Sequence, residues 1–217
     1  MDLYNFLMIV LIYAPSVIFA ITLHEAAHGY VAKYFGDTTA YMLGRITLNP
    51  VKHIDPIGTV VVPLVTALAG FPFGWAKPVP VNFNNLRHPK RDMFWVAAAG
   101  PGSNIVQAFI WGLVARTIFT TEGAVATYWF QVAEAGIRVN LILAIVNLIP
   151  VLPLDGGRIV ASLLPARASY AYQGTERFGM VTLLVTMMLI ASGMLNWLLL
   201  PPLRLGVKTI YSIFGLS

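Results

Sequence analysis

Four apolar runs, at 3–23, 93–115, 135–152 and 178–200, limit what this chain can fold into more than any other feature. Each is close to the ~20 residues an α-helix needs to cross a ~30 Å hydrocarbon core. In that solvent every backbone N–H and C=O must be satisfied inside the protein, which leaves helices as the answer for runs of this length. Composition agrees: 11% of residues are charged and 58% hydrophobic, against roughly 25% charged in soluble domains. The expected fold is an all-α polytopic membrane protein with about 4–6 transmembrane helices. The lipid bilayer is then its first partner.

The run lengths and breaks divide 1–217 into one membrane domain without an internal repeat. A first core helix is expected over 4–35, stopped by Gly36-Asp37, with Pro15 inside it. The first run reads as retained rather than as a signal peptide, since no basic segment precedes it and no A-x-A-like site closes it. Core helices follow at 93–118 and 135–152, separated by an acidic loop at 119–134. A C-terminal helix at 178–200 is expected to stop at Pro201-Pro202 and leave an amphipathic tail. Between the first and second core helices, 37–92 reads as a short β-strand and re-entrant region, with "RITLN" (45–49) and "PVPVNF" (78–83) as strands.

Charge supplies sidedness. Basic residues gather at 33–52, 77–91 and 158–177, and the positive-inside tendency places all three in the cytoplasm. The segment 57–73 between the first two then has to enter and return. Irregular backbone at membrane depth is tolerated where it borders a wet cavity. The net charge of +5 comes without a basic, aromatic-interleaved module, so no nucleic-acid partner is expected. With no cysteine, neither disulfides nor thiolate metal ligands are possible.

Inside the first apolar stretch stands "HEAAH" (24–28). Ionisable groups in hydrocarbon cost at least a few kcal/mol, so a cluster of three calls for a function. His24 and His28 are one helical turn apart on one face, and two imidazoles so placed can share one Zn²⁺. Glu25 reaches water at such a metal without binding it, the arrangement of a zinc-protease general base. Two histidines and a water leave tetrahedral zinc one ligand short. The candidates are Asp55, Asp92, Asp155, Glu134, Glu176, His53 and His88. Asp155 leads them, because Pro150 and Pro153 break a long apolar helix before it and Gly156-Gly157 follow. Parity agrees: with 57–73 returning to its starting side, His24, His28 and Asp155 meet at one cytoplasmic depth.

These residues resemble the site-2 family of intramembrane metalloproteases (peptidase family M50). "HEAAH" is similar to its metal-binding helix, "NLIPVLPLDGGR" (147–158) to its second signature, and "AAAGPGSN" (97–104) to the segment between them. The resemblance implies that His24, His28 and Asp155 bind zinc, that Glu25 activates water, and that Asn147 accommodates substrate. It implies a weaker substrate or packing role for Asn104. No PDZ-like or nucleotide-sensing module is visible beside these motifs.

The expected function is therefore zinc-dependent hydrolysis of peptide bonds within or near transmembrane helices of protein substrates. The expected place is the plasma membrane, with the active site toward the cytoplasm. Extended substrate would add as a strand to the edge at 45–49 or 78–83. A membrane metal transporter or a non-catalytic scaffold are the alternatives. Oligomeric state cannot be read from these residues.

Overall fold

The computed structural model describes residues 3–62 and 74–216. Helix α1 runs over Leu3–Tyr34, passing through Pro15. It closes on Gly36 at φ 112°, with Gly36 N–H donating to Lys33 O and Asp37 N–H to Ala32 O. That pair of bonds caps carbonyls the helix end leaves open, and the left-handed turn favours glycine. A short helix, α2 (Thr39–Met42), follows. Beyond Pro89, whose missing N–H suits a first helical turn, come α3 (Pro89–Ile118) and α4 (Ala124–Asn147). The chain then forms α5 (Asp155–Leu163), α6 (Ala166–Gln173), α7 (Gly179–Ala191) and α8 (Asn196–Phe214).

Three stretches are long and apolar enough to cross a membrane: Leu7–Tyr34, Ala124–Asn147, and Ala166–Ala191 taken through α6 and α7. This corrects the expected span count of 4–6 to three among the described residues. At 30 residues α3 is long enough, but Pro101, Ser103, Asn104 and Gln107 dilute its hydropathy. Its position explains that composition. It lies against α1, α4, α5 and α8, so its polar groups meet protein partners.

Small residues let these helices approach, as in other membrane bundles. A Cβ on Gly136 of α4 would lie 2.4 Å from the Trp111 ring of α3. Ala108, Ala115, Ala133, Ile137, Leu141, Ile210 and Leu216 form the core where α3, α4 and α8 meet. The C-terminal residues are thus packed structure. The expected stop at Pro201-Pro202 is corrected, since both prolines lie inside α8. The chain instead turns between α7 and α8, at Gly193 (φ 76°).

Other boundaries move as well. Helix α4 begins at Ala124, so the expected acidic loop at 119–134 shrinks to 119–123. Glu134 becomes a helical residue, bonded to Tyr211 Oη and 3.7 Å from Arg138. No strand occurs among the described residues, so 45–49 and 78–83 are not the expected β-edge. Proline is the physical reason: Pro78 and Pro80 have no N–H to give a ladder, and other groups occupy the carbonyls beside them. The described part of the expected re-entrant stretch is a π-helical turn at Pro56–Val61. The remainder of that expectation, 63–73, lies outside the described residues.

Candidate metal centre

Helix α1 presents His24 and His28 from successive turns toward the interior, where they are 7% and 9% exposed. Asp155, the first residue of α5, comes in from the other side. Between α4 and α5 the chain folds back so tightly that a Cβ on Gly156 would lie 2.3 Å from Leu148 O. Glycine there is required by space, and it brings the carboxylate to the histidines. The His24 Nε2–Asp155 Oδ2 distance is 3.3 Å and the His28 Nε2–Asp155 Oδ1 distance 3.4 Å. The two Nε2 atoms are 3.1 Å apart. The three donor atoms all lie within 4.8 Å of one another.

Protons decide what this cluster can hold. His28 Nδ1 lies 2.7 Å from Val96 O, a carbonyl that can only accept, so Nδ1 carries the hydrogen. Asn104 Nδ2 donates to Ala20 O at 3.2 Å and Asn140 Oδ1 at 2.9 Å. Its Oδ1 therefore accepts from His24 Nδ1 at 2.6 Å. In the neutral rings both Nε2 atoms then carry lone pairs, aimed at one another and at a carboxylate. Asp155 Oδ2 is correspondingly buried with no hydrogen-bond donor. Converging electron pairs with no proton between them form a site for a small cation. Nitrogen and oxygen donors suit Zn²⁺, and three protein ligands are the number found at catalytic rather than structural zinc.

Helix α3 forms the back wall. A Cβ on Gly100 would lie 2.4 Å from His28 Nε2 and 2.6 Å from His24 Nε2, so only glycine leaves the rings their place. Beside the cluster Glu25 is half-buried, and its Oε2 accepts from Val79 N–H at 2.6 Å.

The other expected ligand candidates are engaged elsewhere. Asp55 accepts from the N–H groups of Ile57 and Gly58, and Asp92 from His88 N–H and Arg91 Nε. Glu176 pairs with Arg158 at 2.5 Å, and His53 Nε2 donates to Thr47 O at 3.0 Å. His88 stands at the N-terminal boundary of α3. Asn147, at the end of α4, donates to Leu143 O at 3.0 Å and is outside the cluster. Asn104 is 0% exposed, and its amide is bonded to His24, Ala20 and Asn140. Local pattern did not point to Asn140, and it gave Gly100, which lies in the 97–104 motif, no role of its own. An amide inside an otherwise apolar run was the available signal for Asn140.

A three-ligand cation site on an H-E-x-x-H helix, set among helices of membrane length, defines a membrane-embedded metalloprotein of the protease type. A family model for peptidase family M50 matches residues 114–190, which include Asn147 and Asp155. The chain is 38% identical over 205 residues to a Bacillus subtilis (strain 168) protein named "Putative zinc metalloprotease YwhC", covering 92% of this chain and 89% of that one. It is 29% identical over 180 residues to "Putative zinc metalloprotease Rip2" of Mycolicibacterium smegmatis, covering 82% of this chain and 66% of that one. Rip2 of Mycobacterium tuberculosis (strain H37Rv) is 29% identical over 167 residues, with 76% and 62% covered. No solved structure matches the chain. This chain belongs to the site-2 protease family, peptidase family M50. Zinc is the metal that the donor set and the family indicate.

Proposed function

We propose that this membrane protein hydrolyses peptide bonds within or near transmembrane helices of membrane-anchored proteins, working from the cytoplasmic side of the plasma membrane. The observation that carries this reading is the convergence of His24, His28 and Asp155 beside Glu25, on a helix long and apolar enough to span. A substrate in hydrocarbon explains a water-using site placed there. The basic segments at 33–52, 77–91 and 158–177 support the cytoplasmic orientation.

His24, His28 and Asp155 would hold the zinc, which supplies Lewis acidity and brings the pKa of water to about 7. Asn104 and Val96 O orient the imidazoles and keep their Nε2 lone pairs turned inward. Glu25 takes the proton of the attacking water and delivers it to the departing amine as the C–N bond breaks. Asn147, half-buried at the end of α4, would contact extended substrate.

Wild type and Glu25→Gln, purified in detergent, test this with a panel of single-span helical substrates and a zinc assay. The expected result is cleavage by wild type alone, a rate at least ~10²-fold lower in the variant, and one zinc in each. Absence of zinc from wild type, or equal cleavage by both, overturns the reading. Zinc in both with no cleavage turns the question to transport.

A further inference from the structure

The chain from Lys77 to Asn82, neither helix nor strand, passes over the face of α1 that carries Glu25 and Gly29. Val79 packs there, its Cγ1 3.2 Å from where a Cβ on Gly29 would stand. The run reads Lys-Pro-Val-Pro-Val-Asn. Proline has no N–H, so Val79 supplies the only backbone donor between 78 and 80, and that donor is on Glu25 Oε2 at 2.6 Å.

The rest of the segment is tied down. Lys77 N–H donates to His53 O at 2.9 Å. The Arg45 guanidinium donates to Lys77 O at 3.0 Å and Pro78 O at 3.2 Å. At the far end Asn82 N–H donates to the buried Asp37 carboxylate at 2.7 Å. The flanking prolines favour extended backbone and offer no competing donors.

We infer that this Pro-Val-Pro strap is a positioning element for the reaction, in which the Val79 N–H holds one oxygen of Glu25 so that the other is free to face the attacking water. Arg45 and Asp37 act through the strap. A half-buried carboxylate with no donor would turn to find one, and misplacement of a reacting group by about 1 Å can cost ~10²-fold in rate. The strap is thus the reason Glu25 points one way before substrate arrives. The inference rests on the proposed protease reading for its kinetic consequence, but the hydrogen bond itself can be observed without activity.

The test uses the full chain in detergent. Replacing Val79 by its α-hydroxy acid through nonsense suppression turns the N–H into an ester oxygen and keeps the side chain. Expected are a kcat at least about tenfold lower, KM within about twofold and zinc content unchanged; Arg45→Gln shifts kcat in the same direction by less. Hydrogen exchange gives the activity-independent arm. The Val79 amide should be protected in wild type and exchange at least about tenfold faster in Glu25→Ala. An unprotected Val79 amide, or unchanged exchange in Glu25→Ala, overturns the inference whatever the activity. A kcat unchanged in the ester protein also overturns it, and a raised kcat would mark the strap as an inhibitory cover. Protection that depends on Glu25 in a protein that cleaves nothing would remove the protease reading while keeping the strap's hold on Glu25.

Discussion

Asn104 decides the state of the site at the scale of a single residue. Its Nδ2 is spent on Ala20 O and Asn140 Oδ1, so its oxygen accepts the His24 Nδ1 proton and leaves Nε2 as a ligand. Partners of this kind typically change metal affinity by 10–100-fold. Asn104→Leu should therefore weaken zinc binding by about that factor in a chelator competition. Asn104→Asp, which keeps an acceptor toward His24, should lose less. Equal losses in the two variants would mean that packing, and not the tautomer, is what Asn104 supplies.

Among the elements, α3 combines wall and scaffold through two glycines of different kinds. Gly100 has the two imidazoles against it, whereas Gly102 has nothing within 4 Å of a Cβ. The rings cannot retreat, because their Nδ1 atoms are tethered to Asn104 and Val96 O. Gly100→Ala should abolish stoichiometric zinc while leaving helical circular dichroism intact. Gly102→Ala should keep the zinc and raise stability by roughly 0.5–1 kcal/mol, the usual gain for alanine in a helix interior. Loss of zinc in both would show that the helix as a whole, rather than clearance at 100, governs the site. The expected strands at 45–49 and 78–83 failed at this scale too. Alternating apolar residues were present, but Pro78 and Pro80 withhold donors, and Arg45 and Glu25 take what remains.

Across the whole molecule, Asp37 joins three distant parts of the chain. Its carboxylate accepts from Thr39, Asn82 and Asn85, linking the end of α1 to the strap and to the approach of α3. Burial opposes its ionisation, but the hydrogen bonds from Thr39, Asn82 and Asn85 more than offset this and hold the carboxyl below its usual value. A pKa lower in the folded than in the unfolded state means that the unfolded chain takes up the proton first. The contribution is complete above the unfolded pKa of about 4 and is lost as pH falls through the folded value. The thermal stability of Asp37→Asn should therefore fall less steeply than that of wild type as pH drops below about 4. Parallel slopes would assign acid sensitivity to other groups.

Local pattern alone decides a good deal here. Run length and scarce charge choose the bilayer and the helix, and i,i+4 spacing pairs His24 with His28. The broken helix before Asp155 marks the third member of the cluster. Such features are readable because each depends on residues within a few turns of one another. Folding in three dimensions decides the rest. It places Asn140 under Asn104, clears Gly100 for the rings, and seats α8 with its prolines against α3 and α4. It also sets Val79 on Glu25 across 54 residues of chain. The reason is that a buried donor or acceptor must find a partner, and sequence neighbours inside a helix cannot supply it once their own backbone groups are paired. The partner then comes from wherever the helices happen to meet.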